Sequence, residues 1–146
     1  MKKLITSGLL KVLLFLLFII TLALNFYLQS TPTFLDHPFK LSATTEIIDV
    51  NYVNWACDCA NFIETKYAQN DPNYEVREED CIFIEPANAK LKLPERYFKK
   101  DHFEKKLRLT GQFYLKKGIP RFYEQKTPKK PAAAKVFRYT KFEVVD

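Results

Sequence analysis

KLRLTGQFYL, Lys106 to Leu115, is the stretch on which the fold turns. Leu107, Leu109, Gly111, Phe113 and Leu115 share one parity, while Lys106, Arg108, Thr110 and Gln112 share the other. A period of two with one apolar and one polar side predicts an antiparallel strand, half buried and half solvated. Lys117-Gly118 then begins a turn, and residues 123–131 read as a loop with TPKKP at its centre. Lys135 to Val145 reads as the last strand. Phe137 and Tyr139 lie on one side of it, and Val136, Phe142 and Val144 on the other. Neither side is polar enough for a solvated face, so burial on both sides is expected.

Working backwards, Ile48, Val50 and Tyr52 alternate with Asp49, Asn51 and Val53, which predicts a first strand. Trp55, Cys57 and Cys59 fall on the opposite parity, and a bulge near Asn54 would reconcile the two. Residues 61–67 read as a second strand, 69–75 as a turn, and 81–85 as a short strand stopped by Pro86. Leu91 and Leu93 suggest one more short strand. Residues 94–103 suggest a short helix with Tyr97 and Phe98 inward and Pro94 in its first turn. Five to seven short strands and about one short helix make a mainly β domain. A small, partly closed barrel like the oligonucleotide/oligosaccharide-binding type suits this pattern best, and a two-layer sheet is the alternative.

Ahead of the domain lies VLLFLLFIITLALNFYL, residues 12–28, interrupted only by Thr21 and Asn25. Seventeen residues make about 25 Å of helix, short but adequate for a bilayer core. Only a helix satisfies its own backbone in lipid, so a single N-terminal transmembrane helix is expected. Phe26 and Tyr27 suit the headgroup region at its end. Lys2, Lys3 and Lys11 precede the span, which places the N-terminus in the cytoplasm and exports the rest. A cleaved secretory signal is the competing reading. Its cleavage site at Thr21-Leu22-Ala23 lies awkwardly inside the apolar run. The expected organisation is a cytoplasmic tip and anchor over 1–30, a stalk over 31–43, and an exported domain over 44–146.

Charge is split along the chain. Residues 27–98 carry six Lys/Arg against twelve Asp/Glu, and residues 99–146 carry fourteen against five. Mutual attraction of the two halves is the simpler account. A basic face for anionic lipid, an anionic polymer or an acidic protein is the sharper one, with Lys116, Arg121, Lys126, Lys129 and Lys130 as its candidates. Tyr114, Phe122, Tyr123 and Tyr139 interleave with these cations, a pattern that can also hold single-stranded nucleic acid. That reading gains weight only if the domain is not exported.

The three cysteines are Cys57, Cys59 and Cys81. In an oxidising compartment, cross-strand pairing of Cys81 with Cys57 or Cys59 is the first expectation, since a bond within Cys57-Asp58-Cys59 needs a tight, non-extended loop. A thiolate metal site using Cys57, Cys59, Cys81 and His102 is the alternative, although no C-x₂-C spacing is present. A redox pair is disfavoured by the flanking acids Asp58 and Asp80. No nucleophile elbow, H-E-x-x-H or phosphate loop occurs, and no cofactor is implied. Asp49, Glu64 and Glu85 could form a carboxylate set, but twelve acids in this half make chance proximity the simpler account, so a binding or structural module is the leading expectation.

Overall fold

The computed structural model describes residues 2–30, 36–71, 73–98 and 105–145. Helix α1 covers Lys2–Ser30. Its segment Gly8–Leu28, 21 residues, is long and apolar enough to cross a membrane, at about 31 Å against a core of about 30 Å. Lys11 lies near the start of this segment, and Thr21 and Asn25, farther in, each donate one local hydrogen bond. Thr21 Oγ1 donates to the Phe18 carbonyl and Asn25 Nδ2 to the Thr21 carbonyl, both at 2.8 Å. Neither side-chain donor therefore needs water.

Five strands follow: β1 (Glu46–Tyr52), β2 (Phe62–Glu64), β3 (Ile82–Pro86), β4 (Lys106–Phe113) and β5 (Lys135–Val145). They close into a barrel in the order β1-β2-β3-β5-β4, with β4 returning to β1. Only β3 and β5 run parallel. The expectation of a small barrel is met, and the two-layer sheet is not needed. Between the strands lie helix α2 (Lys66–Asn70) and 3-10 turns at Glu78–Asp80, Ala89–Leu91 and Glu95–Phe98.

Alternation sends Val50, Leu107, Leu109 and Phe137 into the barrel, where all are fully buried beside Ile82 and Tyr139. The opposite parity of β3 and β5 is not solvated. Phe83 and Val136 point outward into a second cluster with Ala60, Ile63, Cys81 and Tyr114. Trp55, Tyr67, Tyr74 and Tyr123 cover this outer layer. The first half of β5 is thus buried on both sides, as its composition predicts. Its second half is not, since Val144 is exposed.

Where β4 meets β5, the register shifts between Thr110 and Gly111. A Cβ on Gly111 would lie 2.1 Å from the Arg138 carbonyl oxygen, so only glycine permits this backbone approach.

Several local expectations are corrected. No bulge carries β1 past Tyr52; the chain leaves the sheet and bends over residues 56–59. The parity change at Trp55 marks the end of the strand. The second strand stops at Glu64, and Thr65 begins α2. Ala89–Leu91 is a 3-10 turn capped by Asn88, whose side chain accepts from the Lys90 N–H, so the expected strand at Leu91 and Leu93 does not form. The helix expected at 94–103 is a 3-10 turn over Glu95–Phe98, and residues 99–104 lie outside the described residues. Leu115 is exposed just beyond β4, while Tyr114 is buried.

Leu109→Ala should destabilise the detergent-solubilised chain by about 2–4 kcal/mol in chemical denaturation, through lost burial and a cavity at the barrel centre. Gly111→Ala should cost about 1–3 kcal/mol by forcing β5 away from β4. A loss below about 0.5 kcal/mol in either would contradict this packing.

Candidate functional site

A groove of about 700 Å³ borders β2 at Phe62 and β3 over residues 83–86, and lies under the β4–β5 loop. Its floor includes Phe83 and Glu85, which share the outward parity of β3. Segment 36–41 forms one wall, and Arg121, Phe122 and Tyr123 of the loop form another.

Glu85 is buried at this floor. A carboxylate removed from water must find donors, and three converge on it. The Tyr114 hydroxyl donates to Oε1 at 2.8 Å, the Arg121 backbone N–H donates to Oε2 at 2.9 Å, and His37 Nε2 lies 2.9 Å from Oε2. Burial first, and the bond to Glu85 second, push the Tyr114 hydroxyl up to about 12. His37 is itself buried, with its ring edge-on to Tyr114 and Phe39. Its Nδ1 has no hydrogen-bond partner among the described residues.

A second buried carboxylate holds the far side of the loop. Asp58 accepts from the Tyr123 hydroxyl at 2.9 Å, from the Lys126 N–H at 3.0 Å, and from the Thr127 N–H. Burial alone would raise this carboxyl. The bonds from Thr127, Lys126 and Tyr123 outweigh it and hold the group below the ordinary carboxylate range. A disulfide between Cys57 and Cys59 brackets Asp58.

Phe122 sits between these two attachments. Pro120 to Tyr123 form a turn closed by the Tyr123 N–H on the Pro120 carbonyl at 3.2 Å. Arg121 is tied to Glu85 before Phe122, and Tyr123 is tied to Asp58 after it. Phe122 is 85% exposed, the most exposed large apolar side chain among the described residues. Its exposure is therefore imposed by flanking hydrogen bonds and is not a fraying of the loop.

The cysteine expectation is corrected. The bond lies within Cys57-Asp58-Cys59, whose Cα atoms of Cys57 and Cys59 are 5.5 Å apart, and Cys81 is a buried free thiol. Pairing with Cys81 assumed an extended chain at 57–59; the bend there supplies the tight loop that the internal bond needs. Cys57, Cys59 and Glu78 cluster closely, but sulfurs bonded to each other are not thiolate ligands. The thiolate metal set therefore does not form, and His102 lies outside the described residues. Burial raises the Cys81 thiol, with Trp55 opposing and Asp80 and Glu78 adding to the rise.

The basic candidates separate. Lys130 is paired with Asp36 at 2.8 Å and partly buried. Lys126 uses its backbone on Asp58 while its side chain is exposed. Lys116, Arg121 and Lys129 are exposed. Of the aromatic residues expected to interleave with them, Tyr139 is buried with its hydroxyl on the Leu91 carbonyl, and Tyr114 and Tyr123 are committed to carboxylates. Phe122 alone of the four is free to stack. Phe39, edge-on to His37, is 61% exposed beside the groove. The Asp49, Glu64 and Glu85 set is not one site. Asp49 and Glu64 line a separate depression of about 480 Å³, paired with Arg108 and Lys66.

Sequence reasoning missed His37 and Phe39 because both lie in the aperiodic segment read as a stalk. Part of that segment runs along the barrel: Ser42 N–H donates to the Phe113 carbonyl and Leu115 N–H to the Lys40 carbonyl, both at 2.8 Å. No family model, curated protein or solved structure matches the chain.

Glu85→Ala should cost about 3 kcal/mol, because it strands buried donors on three segments. Asp49, held low by its bonds from Arg108, and Asp58 have depressed folded values. Their contribution is present above the unfolded value of about 3.9 and is lost as pH falls through the folded values. Denaturation midpoints should therefore drop below about pH 4, and Asp58→Asn should flatten that drop. Non-reducing peptide mapping with alkylation should find Cys57 linked to Cys59, and Cys81 labelled only after unfolding.

Proposed function

We propose that this chain is a single-pass, membrane-tethered binding module. An anchor lies in residues 1–30, a short tether follows, and the barrel is held on the non-cytoplasmic side. Lys2, Lys3 and Lys11 ahead of the span support that orientation. So does the Cys57–Cys59 bond, which suits an oxidising compartment.

The observation that carries the binding role is the groove over β2 and β3, with Phe122 held rigidly at its edge. Preorganised aromatic rings cost little entropy when a ligand arrives. An open groove beside a barrel wall suits an extended ligand, and Arg121 and Arg138 among its lining residues suit one with negative charge.

Two measurements test this reading. A reporter fused after Asp146 should be active only on the exported side, and protection of that reporter inside spheroplasts would reverse the orientation. Fluorescence anisotropy should then show capture of polygalacturonate, or of oligothymidylate as the nucleic-acid representative. Ala89→Trp, which fills the groove from an exposed turn, should weaken capture at least tenfold. Absence of capture, or equal capture by the variant, would remove the groove from the function.

A further inference from the structure

The geometry points to a second interaction surface: the rim around Phe39, Leu115 and Phe122 rests on the anionic headgroups of the bilayer that holds the anchor. This inference rests on the anchor reading of α1; Phe39, Arg121 and Phe122 also line the groove, so the two surfaces share one rim.

Chain length supplies the first argument. Six peptide steps separate Ser30 from Asp36, so Asp36 lies within about 20–22 Å of the helix end. The eleven residues of β5 run about 35 Å, so the tether is shorter than the barrel's longest strand. Whichever surface surrounds Asp36 therefore stays close to lipid.

That surface is well defined. The Asp36 carbonyl accepts the Ile119 N–H at 2.9 Å, and its carboxylate pairs with Lys130. A Cβ on Gly118 would lie 2.5 Å from the Asp36 carbonyl oxygen, so the chain is pressed against the β4–β5 loop here. The tether consequently meets the barrel at the loop that carries Phe122.

Composition supplies the second argument. Phe39, Leu115 and Phe122 are 61%, 58% and 85% exposed. Lys40, Lys116, Lys117 and Arg121 are exposed among them. Among the described residues, Asp36 is engaged by Lys130 and Glu85 by its three partners, while exposed Glu124 faces Lys92 at 3.6 Å. Apolar rings among cations match an interface of acyl chains and anionic headgroups. The carboxylate attachments on either side of Phe122 keep its ring presented.

The test uses the full chain in nanodiscs containing one-third phosphatidylglycerol and a trace of gadolinium-headgroup lipid. Amide signals of Leu115, Lys116 and Phe122 should be broadened at least threefold more than that of Val144, which lies at the far end of β5 from the loop. The contrast should fall at least twofold in purely zwitterionic discs, in 0.5 M salt where the Debye length is only about 4 Å, and in the Lys116→Glu/Lys117→Glu variant. Equal broadening at both ends, or a contrast indifferent to lipid charge and to salt, would overturn the proposal. A chain that does not co-migrate with the discs would instead overturn the anchor reading itself, which distinguishes the two failures.

Discussion

A carboxylate buried outside the barrel, Glu85, is the contact on which the surroundings of the groove depend. Its outward direction follows from parity, because Ile82 and Ile84 fill the barrel interior and leave Phe83 and Glu85 on the other side of β3. Once there, and covered, it must collect donors. It takes one each from the N-terminal segment through His37, from the end of β4 through Tyr114, and from the β4–β5 loop through Arg121. Three segments distant in sequence are thereby placed by a single side chain.

Asp58 repeats the arrangement at lower cost in burial of other groups. Two backbone N–H groups and one tyrosine hydroxyl stabilise its charge, and the Cys57–Cys59 bond holds the bend from which it projects. Together the two carboxylates convert a long loop without secondary structure of its own into a surface with a defined shape. Buried polar groups of this kind specify a conformation more than they add stability. Here the conformation specified is the one that exposes Phe122.

Electrostatics across the chain fits the same picture. The acidic first half and basic second half meet in the Asp49–Arg108 pair between β1 and β4 and in Asp36–Lys130. Mutual attraction of the halves therefore accounts for part of the uneven charge. Lys116, Lys117 and Arg121 are exposed cations of the basic half that lie, with Lys40, where the chain approaches from the anchor.

The sequence by itself determined the apolar span, the mainly β character, and the strands β4 and β5. Each is written in a local regularity: an uncharged run in residues 12–28, a period of two at Leu107 and Leu109, and β-branched and aromatic residues from Val136 onward. The tertiary structure alone decided the bond partner of Cys57, the burial of His37 and Glu85, and which lysines remain free. Parity tells which side of a strand a residue occupies, but not what covers that side. The cover over β3 and β5 comes from residues 36–41, 53–60 and 114–127, which have no period of their own. Their shape is set by where buried carboxylates and aromatic rings find partners, and those partners are as many as 69 positions apart, as with Asp58 and Thr127.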